Sequence, residues 1–292
     1  MNLSDQRRGE IYVLLGAILW GLFPVLTVLS ENKVAPLIAL GFSTLFSCFF
    51  FGALITIRKK WKELLQKSAI MDILLTTLIL GVLYYILTFF GLRLTSPGNA
   101  SIIGLSEILM GYIFFHLIRK EEILKSHLIG AILVIVGVII IFIPNFQKFQ
   151  LGDLLILSAA LIAPFGNFFQ RRARTKTSSE SILFIRSVIG TIIIFFLAFM
   201  LRDSFTVISI KSAFLVLFIS GVFVFGLSKI FWIEGIHRIG IVKANALNCI
   251  SPLVAISFAW VILQKAPTIY QLLSIIPLFF GIIFLSRNKT KR

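Results

Sequence analysis

Runs of about 20 predominantly apolar residues recur along the chain, near 11–30, 36–57, 69–90, 98–118, 124–143, 151–169, 181–201, 212–232, 241–263 and 268–286. As helix, each is long enough to cross a hydrocarbon layer roughly 30 Å thick. Strands are excluded because each run is about twice the length of a barrel strand and none alternates polar with apolar residues. The expected fold class is all-α integral membrane, with ten transmembrane helices. A water-soluble fold is ruled out by composition: 58% of the 292 residues are hydrophobic and only 14% charged, so one soluble core has far more apolar surface than it can bury. The first run is long for a signal sequence and lacks a convincing small-x-small cleavage site, so it is expected as a retained helix.

The net charge of +16 would first suggest nucleic acid as a partner, yet the basic residues collect between the apolar runs, which points to topology and a lipid bilayer instead. The tail 1–10 and the segments 58–68, 119–125, 170–180, 233–243 and 287–292 hold 20 Lys and Arg, whereas the alternate connections hold 6: Lys33, Arg93, Lys148, Arg202, Lys211 and Lys265. Basic residues are retained on the cytoplasmic side, so both termini are expected there, in a plasma or inner membrane. The connections are too short for a separate soluble domain.

A shift of 144 residues aligns the stretch from Gly91 with that from Gly235 without a gap, bringing Ala100 onto Ala244, Leu109 onto Leu253, Phe114 onto Phe258 and Gly137 onto Gly281. The repeat unit is five helices, giving expected units of 1–146 and 147–292. Because five is odd, the second unit must enter the membrane in the opposite sense, an arrangement that recurs in secondary transporters with a substrate site near mid-membrane. The string Gly91-Leu92-Arg93-Leu94-Thr95-Ser96-Pro97-Gly98-Asn99-Ala100-Ser101, the Trp20-Gly21 pair, Pro252, and Glu121 nine residues before Gly130 resemble the drug/metabolite transporter superfamily, EamA type. The resemblance covers essentially the whole chain. It implies two inverted five-helix repeats, a central cavity lined mainly by the first four helices of each, and export or exchange of small metabolites. The chain departs from the pattern at Lys265, where a counterpart of Glu121 is common, and at Glu107-Ile108 opposite Ser251-Pro252.

Glu107 lies near the centre of the fourth run, where an ionised carboxylate costs about 2.5–3.5 kcal/mol and cannot reach the interface. It reads as a cavity acid for a proton or a substrate amine, the alternative being a protonated acid bonded to a neighbouring helix. Asn245, Asn248 and Pro252 recur at helical spacing in the ninth run, with Ser251 beside them, and read either as cavity lining or as interhelical hydrogen-bonding groups. Pro164 with Asn167, and Pro24 with Thr27, give weaker versions of the same signal. Trp20, Tyr84, Tyr85 and Trp232 suit stacking on a flat or cationic substrate, or anchoring at an interface. Lys229 stands about one turn from a run end and reads either as a cavity group that binds substrate or a proton or as a head extended to the interface. Arg186, also near a run end, is expected to extend its head to the interface, with a cavity role as the alternative. An acid and a base in one cavity would suit an amino-acid-like zwitterion.

No cofactor is expected. The histidines His116, His127 and His237 lack metal-ligand spacing, and no phosphate-cradling glycine loop is present, so energy is expected from a gradient, including proton coupling, or from exchange. The leading reading is a secondary active transporter rather than an enzyme; the alternative is an integral-membrane enzyme acting on a lipid-linked substrate, for which the chain offers only scattered acids and a histidine near one interface. The topology is testable by labelling cells expressing single-cysteine variants that lack Cys48 and Cys249. Lys67→Cys, Arg174→Cys and Asn288→Cys should resist an impermeant thiol reagent, and Gln147→Cys should react; the reverse pattern would refute the orientation.

Overall fold

The computed structural model describes residues 5–119, 125–143, 150–203, 206–248 and 250–285, and all regular structure among them is helical. Six continuous helical stretches are long and apolar enough to cross a membrane: Asp5–Glu31, Pro36–Ile57, Lys67–Leu94, Leu151–Arg174, Ser179–Met200 and Val207–Ile239. The first is bent into α1 (Asp5–Gly21) and α2 (Phe23–Glu31), where Pro24 in the first turn of α2 lacks the N–H that would continue the ladder. The second is α3 (Pro36–Ile57). The third joins α4 (Lys67–Thr76) to α5 (Tyr84–Leu94) through a π-helical stretch, Thr77–Leu83, and the sixth joins α11 (Val207–Ile219) to α12 (Ser228–Ile239) through another, Ser220–Leu227. Between them lie α9 (Leu151–Arg174) and α10 (Ser179–Met200).

The fourth and ninth runs are not single helices. The fourth divides into α6 (Pro97–Gly104) and α7 (Ser106–Arg119), and the ninth into α13 (Ile241–Asn248) and α14 (Ser251–Leu263), followed by shorter apolar helices α8 (Lys125–Phe142) and α15 (Ile269–Leu285) in the fifth and tenth. The breaks fall at equivalent places. The bounds of α6 and α13 lie 144 residues apart at both ends, and so do the last residues of α7 and α14. Local chemistry sets the starts: Ser96 accepts from the Asn99 N–H at the head of α6, and Thr268 and Gln271 exchange side-chain and backbone bonds at the head of α15. Gly240, at φ +79°, turns the chain out of α12 where a side chain would be strained.

Packing joins the two halves of the sequence. The most extensive contacts pair α8 with α15, α3 with α10, α1 with α12 and α5 with α9. Outward faces carry a belt of exposed Phe196, Phe199, Leu215, Phe279 and Phe280, apolar surface suited to lipid, while Phe23, Leu37, Leu40, Phe89, Ile102 and Ile103 fill the interior. At one end, charged contacts tie the halves together: Asp72 accepts from Arg172 and Lys176, Glu180 pairs with Arg58 and Lys60, Glu10 with Lys243, and Asp5 with Arg238. The basic partners come from the segments 58–68, 170–180 and 233–243. At the other end the ties are mostly neutral or one-sided, Lys33 donating to the Ser212 carbonyl, Thr95 to Asp153, and Gln271 to Ser96 and Asn99.

The α5·α9 crossing depends on paired glycines. A Cβ on Gly152 would lie 2.6 Å from the Gly91 carbonyl oxygen, backbone that cannot yield as a side chain would. Gly152→Ala should therefore destabilise the purified protein by about 1–3 kcal/mol, read as a lower thermal midpoint in detergent. Gly104→Ala, where an added Cβ meets nothing within 4 Å, should leave the midpoint unchanged or raise it.

Candidate functional site

Two adjoining clefts occupy the interior between the halves. One is lined by Trp20, Tyr84, Tyr85, Glu107, Arg186 and Lys229 among others. The second shares Trp20, Tyr84, Glu107 and Asn248 with the first and continues past Ser251 and Pro252. Glu107 stands where they meet, in the first turn of α7, just after the break that ends α6. A helix N-terminus favours negative charge through its unpaired N–H groups, so the break supplies part of what the lipid interior withholds.

One amide orients this carboxylate. The Asn167 Nδ2 donates to Glu107 Oε1 at 2.6 Å, and the Trp232 Nε1 donates to Asn167 Oδ1 at 3.0 Å. An indole N–H can only donate, so it fixes which end of the Asn167 amide faces it and leaves the NH₂ for Glu107. On α9, Ala163, Asn167 and Gln170 recur at helical spacing and all line the first cleft.

Two basic side chains line the same cleft. The Lys229 Nζ lies 3.1 Å from the centroid of the Trp20 ring and 5.9 Å from that of Tyr85, a cation on two aromatic faces. Trp20 is held by stacking on Phe23, centroids 4.3 Å apart. Arg186 is 6% exposed; it donates to Gln170 Oε1 at 2.7 Å and to the Tyr85 hydroxyl at 3.2 Å, with its guanidinium carbon 5.9 Å from the Tyr85 centroid.

The structure thus gathers Glu107, Trp20, Tyr84, Tyr85, Lys229 and Asn248 around the first cleft and places Ser251 in the second. Asn245 belongs to α13, and its side chain lies outside the described residues, as do the environments of His116, His127, Glu121 and Cys249. One expectation is corrected: Arg186 does not extend to an interface, because Gln170 and Tyr85 offer its head partners in the interior. Of the two readings of Lys229, the head lies inward, on the Trp20 face. Gln170 was not singled out by sequence because the charge run from Arg171 ends the apolar pattern there, whereas α9 continues to Arg174 and carries Gln170 along the cleft face.

The amide bridge gives a measurable coupling. Asn167→Leu leaves both a carboxylate and an indole N–H without their partner and should destabilise by about 1–3 kcal/mol. Adding Glu107→Leu should recover part of that loss, so thermal midpoints of the two single variants and the double variant should be non-additive; strict additivity would mean that the bridge carries no energy.

With this geometry in place, comparison with known proteins identifies the family. The EamA-like transporter family matches the chain twice, over residues 7–143 and 150–287. The chain is 24% identical over 220 residues to an uncharacterized transporter of Synechocystis, a match covering 70% of this chain and 63% of that protein. It is also 24% identical over 267 residues to the uncharacterized transporter YojE of Bacillus subtilis, covering 88% and 86% of the two chains. A solved crystal structure superposes with a TM-score of 0.71 at 15% identity, over 94% of this chain and 95% of the other, a likeness of fold. The apolar helical architecture and the paired family match make this an integral membrane transport protein, and the chain belongs to the EamA-like transporter family.

Proposed function

We propose that the protein is a secondary active transporter of small organic metabolites, amino-acid-like in carrying an amine and an acidic group, and that it works by alternating access. The observation that carries this reading is the polar interior between the halves, where Glu107, Arg186 and Lys229 face one cleft walled by Trp20, Tyr84 and Tyr85. Ionisable groups are expensive inside a membrane and mark transport pathways when they surround a cavity. Counting α6 with α7, α8, α13 with α14, and α15 as four further crossings gives ten, in two inverted five-helix units, 1–146 and 147–292. The shared 144-residue spacing of their helix bounds supports that count. The ion-paired end and both termini face the cytoplasm of a plasma or inner membrane, a placement supported by the excess of Lys and Arg there.

In this mechanism the halves rock about the clefts. Opening towards the basic end parts the Asp72, Glu180 and Glu10 ion pairs; opening towards the other end parts the contacts of Lys33, Asp153 and Gln271. Glu107, at the junction of the clefts, exchanges a proton or holds the substrate amine.

Glu107→Gln separates these roles, because the amide keeps the shape but neither releases a proton nor carries charge. In reconstituted vesicles, a proton-coupling Glu107 predicts retained substrate binding with gradient-driven uptake abolished. An amine-binding Glu107 predicts weakened binding itself. Wild-type binding together with wild-type driven uptake would assign the carboxylate a structural role and overturn both forms.

A further inference from the structure

We propose that Arg186 and Lys229 form the receptor for an oxyanion group of the transported molecule, a carboxylate or phosphate, and so select organic anions and zwitterions over cations and neutral compounds. The inference rests on the reading of the clefts as the substrate route and names the chemistry of their ligand.

Its basis is a charge imbalance in the interior. Arg186 and Lys229 approach the same ring, that of Tyr85, each with its charge centre 5.9 Å from the centroid. The groups that hold them are neutral: Gln170 and the Tyr85 hydroxyl for Arg186, the Trp20 face for Lys229. Neither makes an ion pair with a carboxylate among the described residues, although Arg58, Lys60, Arg172, Arg174, Lys176, Arg238 and Lys243 all do. Glu107, the carboxylate on the cleft wall, takes its hydrogen bond from Asn167 instead. Two cations against one acid leave the cleft lining with a formal excess of positive charge, in a place where opposite charge is most valuable.

The geometry of Arg186 fits the task. Two of its five N–H donors are taken by Gln170 and Tyr85, so three remain, and the two bonds hold the guanidinium plane still. A planar fork that is already oriented loses little freedom when it grips a carboxylate or phosphate in two places. Lys229 adds a compact second charge, held on an aromatic face that a stronger anionic partner can replace. The surrounding Trp20, Tyr84 and Trp232 supply apolar surface for the rest of the ligand.

The test uses matched probes on the purified full-length protein: leucine against leucinamide, phenylacetate against phenylacetamide, and phenyl phosphate against phenol. Binding is read by thermal shift and by quenching of tryptophan fluorescence, since Trp20 and Trp232 line the cleft. The expected result is that the anionic member of at least one pair binds and its mate without the anionic group does not. Arg186→Gln should weaken that binding by about tenfold or more, and Arg186→Lys, which keeps charge but loses the fork, should restore part of it. Lys229→Gln should also weaken it, which keeps the test decisive should the Arg186→Gln protein fail to fold. Preference for the phosphate or for the carboxylate probes identifies the group.

Equal binding of both members of every pair, binding unchanged in both charge-removed variants, or no binding by any anionic probe would overturn the proposal. Counterflow in sealed vesicles separates this from the transporter reading. Exchange of only cationic or neutral compounds would leave a transporter without an anion site, and an anion that binds but never exchanges would leave an anion site without transport.

Discussion

The difficulty of holding ionic charge away from water organises this molecule. Lipid offers neither hydrogen bonds nor dielectric screening, so each ionised side chain must find a partner within the protein or an aqueous edge. At one end of the bundle the answer is mutual neutralisation, with Asp72 between Arg172 and Lys176 and Glu180 beside Arg58 and Lys60. In the interior the answer is different: Glu107 is met by an amide, Arg186 by an amide and a phenol, Lys229 by an indole face. Such partners hold a charge in place without cancelling it, and an uncancelled charge remains available to a ligand.

The broken helices answer the same difficulty. A continuous α-helix through the fourth run would satisfy its own backbone and offer nothing to a side chain at its centre. Division into α6 and α7 places Glu107 in a first turn instead, at a helix end whose dipole favours negative charge. The equivalent break puts Ser251 and Pro252 at the head of α14, where the missing proline N–H would have been unpaired in any case. One device, used twice, gives the interior polar ends of helices without exposing backbone to lipid.

Sequence carried the architecture because membrane helices must be long and apolar, and because repetition left Gly91 opposite Gly235 and Gly137 opposite Gly281 in one register. It carried much of the cleft lining for a related reason: a Glu at mid-run or an Asn on an apolar face is too costly to pass unnoticed. It lost Gln170, which adjoins a cationic helix end and resembles the start of a loop. It also misplaced the head of Arg186 and left that of Lys229 open, since a long flexible side chain near a run end reaches outward or inward with equal ease, and the choice lies in Trp20 and Tyr85 on other helices. Neighbours distant in sequence decide such cases, and a linear pattern contains no record of them.

The two π-helical stretches lie directly before paired cleft residues: Thr77–Leu83 before Tyr84 and Tyr85, Ser220–Leu227 before Ser228 and Lys229. Successive residues of an α-helix are separated by about 100° around the axis and about 1.5 Å along it, and a wider turn absorbs an additional residue. The helix beyond each wide turn is thereby rotated to a new azimuth while the length of the crossing hardly changes. Which side chains look inward is consequently set by a residue count made a turn earlier, as much as by their chemical identity. Loss of one residue from either stretch would send a tyrosine pair or a lysine towards a different neighbour while leaving the helix long enough to span its membrane.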